Sequence, residues 1–153
     1  MFHNSIKSQA ENKLRIADHL LSTTYPVIKD PKLLLSALSA LYQALDLAID
    51  AVLVFEKNFK SIQYTPENKI DIFRRKIIPK YSLDNELIFF YNALKEILES
   101  HKNSDVEFTK KETFVISDKE YNLKTLTYED VKNKYSLTKR YIEKIFEVIK
   151  KYD

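Results

Sequence analysis

Apolar residues recur at steps of three and four along the first part of the chain, which is the spacing of one face of an α-helix. The residues on this face are Ile6, Ala10, Leu14, Ala17 and Leu21. The pattern predicts an amphipathic first helix. We expect it to end near Tyr25-Pro26, because the residue before a proline is biased away from helical backbone angles.

A second helix is predicted to begin at Asp30-Pro31, because aspartate accepts hydrogen bonds at a helix N-cap and proline suits the first helical position. Its apolar stripe consists of Leu34, Leu38, Leu41, Leu45, Ala48, Val52, Phe55 and Phe59. So wide a stripe predicts a helix buried on most sides. Its polar residues fall on one narrow arc, which we call the polar seam: Ser36, Ser39, Gln43, Asp46 and Asp50.

Two shorter helices are predicted to follow. Thr65-Pro66 repeats the combination of cap and proline and is expected to open the third helix, which Pro79 is expected to stop. Ser82 is expected to begin the fourth helix, which runs to about Lys102.

Between Asp105 and Thr127 the apolar period switches towards two, which is typical of β-strands. The segment predicts a small β-hairpin or a three-stranded meander. Thr127 is expected to cap the last helix, which keeps a heptad-like apolar spacing. The sequence therefore predicts an all-α fold in the main, an antiparallel bundle of about five helices. We expect one domain over residues 1–153, with a β insertion at about 105–127.

The chain contains no glycine and no cysteine. Glycine lets the backbone approach a phosphate closely, so its absence disfavours phosphate-cradling loops, dinucleotide fingerprints and nucleophile elbows. The absence of cysteine excludes thiol nucleophiles, disulfides and thiolate zinc sites. The three histidines lack the paired spacing of a metal site, so we predict no metal and no cofactor.

Charge is nearly balanced, with 25 Lys and Arg against 22 Asp and Glu. The formal net charge of +3 gives no overall signature of a nucleic-acid or membrane binder, so a basic site must be local. The N-terminal segment lacks the continuous apolar run of a signal peptide. Two aspartates near the middle of the second helix oppose membrane insertion. We expect a cytoplasmic protein with no membrane partner.

Arg15 and His19 lie four residues apart on the first helix, opposite its apolar stripe, so both side chains can reach one phosphate. In a nuclease, the histidine would act as acid or base and the arginine would hold the scissile phosphate. The alternative is a solvated charged ladder that also contains Glu11. Arg15 and His19 are the catalytic candidates of the sequence.

Asp46 and Asp50 are also four residues apart, on an otherwise apolar helix. If a neighbour buries them, they would either bind a divalent cation or have raised pKa values. Glu86, Glu96 or Glu99 of the fourth helix would then complete a metal shell. The alternatives are a hydrogen-bonded polar seam at an interface and plain solvent exposure.

The densest basic run consists of Arg74, Arg75, Lys76 and Lys80, interleaved with apolar and aromatic residues. These cations would give a salt-sensitive footprint on RNA phosphates, with an aromatic ring nearby to stack on an exposed base. The alternative is the solvated outer face of a short helix.

Two segments carry a resemblance to a known family: DPKLLLSALSALYQALDLAIDAVLVFEKNF and the later amphipathic stretch TYEDVKNKYSLTKRYIEKIFEVIKK. Their pattern resembles the HEPN-like superfamily. The resemblance implies a small helical bundle, commonly dimeric, and many such proteins are metal-independent ribonucleases or toxins. Their hallmark is an arginine followed a few residues later by a histidine near the last helices. Arg140 has no histidine after it, and Arg15 and His19 lie in the first helix, so the resemblance implies the bundle and the dimer more than catalysis.

We therefore expect a non-catalytic helical interaction module that self-associates as a dimer and binds a protein partner or RNA. The second helix is expected to have more apolar surface than one small bundle covers, which suits a two-fold interface. Two alternatives stand beside it. One is a degenerate HEPN-type metal-independent ribonuclease or toxin, and the other is an RNA-binding helical subunit of a ribonucleoprotein.

Overall fold

Five helical runs and one small sheet form the described part of this computed structural model, which comprises residues 2–59, 61–104, 106–110, 113–117 and 123–152. The helices are α1 (Phe2–His19, a π-helical turn at Leu20–Thr24, and Tyr25–Ile28), α2 (Lys32–Asn58), α3 (Lys69–Ile72, a π-helical turn at Phe73–Ile77, and Ile78–Tyr81), α4 (Glu86–Lys102) and α5 (Tyr128–Tyr152). The strands are β1 (Val106–Lys110), β2 (Thr113–Ser117) and β3 (Leu123–Leu126). The predicted fold class, a mainly helical bundle with a β insertion before the last helix, is confirmed.

Helix α2 lies at the centre of the bundle, against α1, α3, α4 and α5. Its apolar stripe is buried from Leu34 to Phe55, whereas Phe59, which follows the helix, is 63% exposed. Each large aliphatic side chain buried in this way contributes about 1.5 to 3 kcal/mol. Because its own chain covers the stripe, α2 does not present the surplus apolar face expected of a two-fold interface. Self-association remains a prediction.

By length and composition alone, α2 could cross a membrane, since its most apolar window has a mean hydropathy of 1.6. In the folded chain, 61% of that window is buried inside the protein. The core helix of a soluble protein meets the same criteria, so they are weak evidence for a membrane span. The absence of a membrane partner remains a prediction.

The first helix ends at Ile28, close to the predicted place, and the third ends at Tyr81, two residues beyond the predicted stop at Pro79. Neither Pro26 nor Pro79 itself ends its helix, so the role predicted for the two prolines is wrong. A proline inside an α-helix has no N–H to donate, and its ring crowds the carbonyl four residues earlier. Each of these prolines follows a π-helical turn, in which an N–H bonds to the carbonyl five residues back, as Tyr25 does to Leu20. The wider turn accommodates the proline ring, and the helix continues beyond it.

Both helices then end on a residue with positive φ, a position at which glycine is usual. The angle is 55° at Lys29, after α1, and 53° at Ser82, after α3. Ser82 therefore closes α3 and does not begin α4, which corrects the sequence prediction. Asp84 takes the capping role instead, because its Oδ1 accepts the N–H of Glu86 at 2.9 Å.

Two of the predicted helix starts are confirmed. Oδ1 of Asp30 accepts the N–H of Lys32, the first residue of α2, at 3.0 Å. Oγ1 of Thr127 accepts the N–H of Asp130 at 3.1 Å in the first turn of α5. In both cases, a short polar side chain satisfies a backbone donor that the helix itself leaves free.

Thr65-Pro66 forms a turn before α3, so the helix begins later than predicted. The N–H of Asn68 donates to the Thr65 carbonyl at 3.1 Å, and the Asn68 side chain accepts the N–H of Thr65 at 2.6 Å. Because these bonds close a turn over residues 65–68, α3 starts at Lys69.

The β insertion is a three-stranded antiparallel meander in the order β1-β2-β3. The central strand β2 lies against α4. Phe114 of β2 pairs with Leu126 of β3, and both side chains are buried. The structure thus selects the meander over the single hairpin. Residues 105, 111–112 and 118–122, which include parts of the predicted strands and turns, lie outside the described residues.

Candidate functional site

The Asp46 and Asp50 carboxylates of the polar seam share one lysine. Nζ of Lys69, the first residue of α3, lies 2.9 Å from Oδ1 of Asp46 and 2.9 Å from Oδ1 of Asp50. Tyr91 of α4 donates its hydroxyl to Oδ1 of Asp46 at 2.8 Å. The hydroxyls of Tyr91 and Tyr42 are 3.0 Å apart. We call these five residues the Lys69 cluster.

Burial and ion pairing act against each other within the Lys69 cluster. Burial raises the pKa of Asp50, and the hydrogen bond and charge of Lys69 offset this only in part. Burial alone would lower the pKa of Lys69, but the hydrogen bonds and charges of the two aspartates outweigh it, so its pKa is raised. Burial also raises the pKa of Tyr91, as do its bonds to Tyr42 and Asp46. At neutral pH Lys69 is therefore a firmly held cation.

The aspartates lie half-buried where α2 meets α3 and α4, with side chains 26% and 29% exposed for Asp46 and Asp50. Lys69 occupies the place between them that a cation would take. Glu96, one candidate for completing a metal shell, pairs with Lys124 of the sheet at 2.9 Å. Within the residues that the structure describes, no three His, Asp or Glu side chains converge to hold a metal ion.

The N-terminal half of the polar seam is arranged differently. Ser36 is exposed, and Gln43 donates its side-chain amide to Oγ of Ser39 at 3.0 Å, within α2 itself. The structure thus divides the seam into a locally bonded half and a half that joins three helices.

A different carboxylate is buried at the C-terminal end of α2. Glu56 is 1% exposed. Tyr81 donates its hydroxyl to Oε1, Lys80 Nζ lies 3.0 Å from Oε2, and Ser61 donates its hydroxyl to Oε2 at 2.6 Å. A buried carboxylate is costly unless charge and hydrogen bonds compensate for it. These contacts compensate Glu56 and, at the same time, fix the side chains of Tyr81 and Lys80.

An open cleft, which we call the terminal cleft, lies where α2, α3 and α5 end, and Glu56 forms part of its wall. Its apolar compartment has a volume of about 310 Å³ and is lined by Phe55, Glu56, Phe59, Lys80, Tyr81 and Tyr152. Its basic compartment has a volume of about 390 Å³ and is lined by Lys80, Tyr81, Ser82, Leu83, Lys144, Glu147, Val148, Lys151 and Tyr152. The two compartments share a wall of Lys80, Tyr81 and Tyr152.

Aromatic rings and ammonium groups are paired along the shared wall. The ring centroids of Tyr81 and Tyr152 are 5.5 Å apart. Lys80 Nζ lies 5.3 Å from the Tyr81 centroid, and Lys151 Nζ lies 5.5 Å from the Tyr152 centroid, within cation–π range. Tyr152 is 53% exposed. The cleft therefore offers open aromatic surface next to positive charge.

The predicted basic run does not form one continuous surface. Arg74 and Arg75 both pair with Asp71, at 2.7 Å and 2.8 Å, and both are exposed. The Arg74 hydrogen bond, followed by that of Arg75, lowers the pKa of Asp71. Lys76 is exposed, whereas Lys80 turns to Glu56 in the terminal cleft. The run is thus divided between an ion-paired surface and the cleft.

Arg15 and His19 are both exposed on α1. Neither residue lines the terminal cleft, and neither belongs to the Lys69 cluster. The structure brings no concave surface to them among its described clefts. Ribonuclease activity through this pair remains a prediction.

Sequence reasoning missed Glu56, although the chain carries a signal for it. Glu56 follows Ile49 and Val52 at steps of three and four, which places a carboxylate on the apolar face of α2 and not on the polar seam. A charged residue at a core position needs a partner. That partner comes from α3, and no local spacing identifies it.

Comparisons of the chain with protein-family models, with curated proteins and with solved structures each found no match. The HEPN-like resemblance therefore rests on the sequence pattern and remains a prediction.

Proposed function

We propose that this protein is a non-catalytic interaction module that binds a partner protein in the terminal cleft. The observation that carries the proposal is the convergence of open aromatic rings and oriented lysines from α2, α3 and α5 around a buried carboxylate. Aromatic residues are frequent anchors of protein interfaces. Because Glu56 holds Tyr81 and Lys80 in place, binding costs little side-chain entropy at these two residues.

A protein partner suits the cleft better than an RNA strand. The apolar compartment gives a partner side chain a place to bury. Binding to a phosphate backbone rests instead on many cations that contact successive phosphates. The arginines that would extend such a footprint beyond Lys80, namely Arg74 and Arg75, are already paired with Asp71.

A matched pair of exposed phenylalanines tests this function. Phe59 lines the terminal cleft and is 63% exposed, whereas Phe89 on α4 is 67% exposed and lies outside the cleft. Tagged wild-type, Phe59→Ala and Phe89→Ala proteins are used to recover partners from the native host, with and without RNase. We expect one RNase-resistant protein that Phe59→Ala loses and Phe89→Ala keeps.

Two results would contradict the proposal. Equal recovery by both variants would place the interaction outside the cleft. RNase-sensitive recovery of RNA would favour the RNA-binding alternative, and replacement of Arg74 and Arg75 by glutamate should then flatten the salt dependence of binding.

Self-association as a dimer is a separate expectation, since nothing in the cleft requires a second copy. Sedimentation velocity at high micromolar concentration tests it. A strict monomer there would contradict the dimer and leave the cleft proposal unchanged.

A further inference from the structure

We infer that the occupant of the terminal cleft is a peptide chain end. Its apolar C-terminal side chain would enter the apolar compartment, and its free carboxylate would meet the lysines of the basic compartment. This inference rests on the proposed function and names the chemistry of the partner. Three features of the cleft support it: its charge, the state of the helix ends around it, and the shared wall.

The charge of the cleft matches a single anionic group. Among the described residues that line it, the ionic side chains are Lys80, Lys144, Lys151, Glu56 and Glu147, which leaves one positive charge in excess. Because Glu56 already bonds Lys80, the excess lies on α5. One carboxylate matches this excess and gains charge-assisted hydrogen bonds from ammonium groups. A strand of RNA would bring a charge with every nucleotide.

One carbonyl at the end of α2 and one at the end of α3 are satisfied by the chain itself. Free carbonyls at a helix C-terminus would repel an anion. At the end of α2, the Glu56 carbonyl accepts the N–H of Phe59 at 3.1 Å and the hydroxyl of Ser61 at 2.9 Å. At the end of α3, the Ile78 carbonyl accepts the N–H of Leu83 at 3.0 Å. These bonds reduce the repulsion that the ends of α2 and α3 would exert on a carboxylate.

The shared wall requires that the apolar and anionic groups of the occupant lie close together. Lys80, Tyr81 and Tyr152 line both compartments. A C-terminal residue carries its side chain and its carboxylate on one Cα. An internal Asp or Glu beside an aromatic residue spreads these groups over two residues, about 3.8 Å apart along the chain. Proteins are known to capture C-terminal carboxylates with backbone N–H groups; in this cleft the donors would be lysine ammonium groups.

The apolar compartment has room for one large side chain. Its volume of about 310 Å³ is at the lower end of the range for ligand pockets. Phe55 and Phe59 meet edge to face, with centroids 5.1 Å apart. A ring or a branched aliphatic group can pack against the exposed ring of Phe59. We therefore expect a C-terminal Phe or Leu to bind better than Ala.

Synthetic peptides test the inference directly. The probes are fluorescein-labelled Gly-Gly-Leu-Phe with a free carboxylate, the same peptide as its C-terminal amide, a version with Ala in place of Phe, and an amidated Gly-Glu-Phe-Gly. Fluorescence anisotropy measures their binding to the full chain. We expect the free acid to bind at least about tenfold more tightly than each of the other three, which is the effect of losing one charge-assisted bond or one buried ring.

Protein variants locate the two contacts. Lys151→Ala should lower the affinity for the free acid to that for the amide and leave amide binding unchanged. Phe59→Ala should weaken both. Lys139→Ala is the matched control, because Lys139 is exposed on α5 but lies outside the cleft. All of these side chains are exposed, so the variants are expected to fold.

Several results would overturn the inference. Equal binding of acid and amide would exclude a carboxylate contact, and tighter binding of the internal glutamate peptide would exclude a chain end. An equal loss in Lys139→Ala and Lys151→Ala would show general attraction to α5. If no peptide binds but Phe59→Ala still loses the native partner, the chain-end inference is wrong and the proposed function is retained. If the peptides bind but Phe59→Ala still recovers the native partner, the cleft binds a chain end and the proposed function is contradicted.

Discussion

Helix α2 holds carboxylates in two different ways, one near its middle and one at its C-terminal end. In the Lys69 cluster, two half-buried aspartates share one lysine and one tyrosine hydroxyl. In the terminal cleft, one fully buried glutamate collects three donors, and two of them, Lys80 and Tyr81, also line open space. The first arrangement joins helices. The second joins helices and also orients side chains towards solvent.

The difference shows why burial of a carboxylate alone does not indicate a site. In the Lys69 cluster both carboxylates are bonded within the chain, to Lys69 and, for Asp46, to Tyr91. These donors are turned towards the aspartates and do not line the terminal cleft. Glu56 is equally well partnered, yet its partners have a second, open side. We therefore place the binding function at Glu56 and a structural role at Lys69, and stability measurements can separate the two.

The largest expected effect is that of Glu56→Ala. The change leaves the Tyr81 hydroxyl without its acceptor and opens a cavity, so we expect a loss of about 3 kcal/mol in the free energy of unfolding. Urea denaturation followed by circular dichroism measures it. Glu56→Gln, which keeps the shape and one acceptor, should lose less. A loss below about 1 kcal/mol for the alanine variant would mean that Glu56 is not integral to the fold.

Lys69→Met should have an intermediate effect. It leaves Asp46 and Asp50 facing each other without a cation, and we expect a loss of about 1 to 2 kcal/mol, reduced by the partial exposure of the cluster. Adding Asp50→Asn removes one of the like charges and should recover part of the loss. Additive losses in the double variant, measured in a double-mutant cycle, would argue against a shared ionic cluster.

A smaller effect is expected in the pH dependence of Asp50→Asn. The pKa of Asp50 is raised on folding, so its favourable contribution is present below the unfolded value of 3.8 and is lost as pH rises through the folded pKa. Relative to wild type, the asparagine variant should therefore gain stability as the pH rises from below 3.8 through the folded pKa of Asp50. Unfolding curves at several pH values test this. A relative loss with rising pH would reverse the assigned direction.

The smallest effect on stability is expected from Tyr152→Ala. The side chain is 53% exposed, so the free energy of unfolding should stay within about 0.5 kcal/mol of wild type. Binding in the terminal cleft should nevertheless fall. A decrease in the free energy of unfolding several times larger than this would show that Tyr152 also stabilises the fold.

Local rules predicted much of the fold. The stripe from Leu34 to Phe55 is set by helical period alone, and Asp30 and Thr127 act through backbone donors two or three residues away. The same kind of rule failed at Pro26 and Pro79, because it assumes α-helical geometry on both sides of the proline. In a π-helical turn the proline ring no longer crowds the carbonyl four residues earlier in the way that the rule assumes.

The candidate site was less accessible to sequence reasoning because its partners are distant along the chain. Lys80 and Glu56 are 24 residues apart, and Lys69 and Asp50 are 19 residues apart. Nothing in the spacing of the basic run distinguishes Lys80, which turns to Glu56, from Arg74, which turns to Asp71. Only the packing of α3 on α2 separates them.

The positive φ angles after α1 and α3 have a consequence for the heat resistance of the protein. A side chain at such an angle crowds its own backbone, at a cost of about 1 to 2 kcal/mol that glycine avoids. Glycine is also freer in the unfolded chain, so the net gain from introducing it is smaller. Ser82 borders the terminal cleft, whereas Lys29 does not. In this glycine-free chain, replacing Lys29 by glycine should therefore raise the melting temperature without changing the terminal cleft.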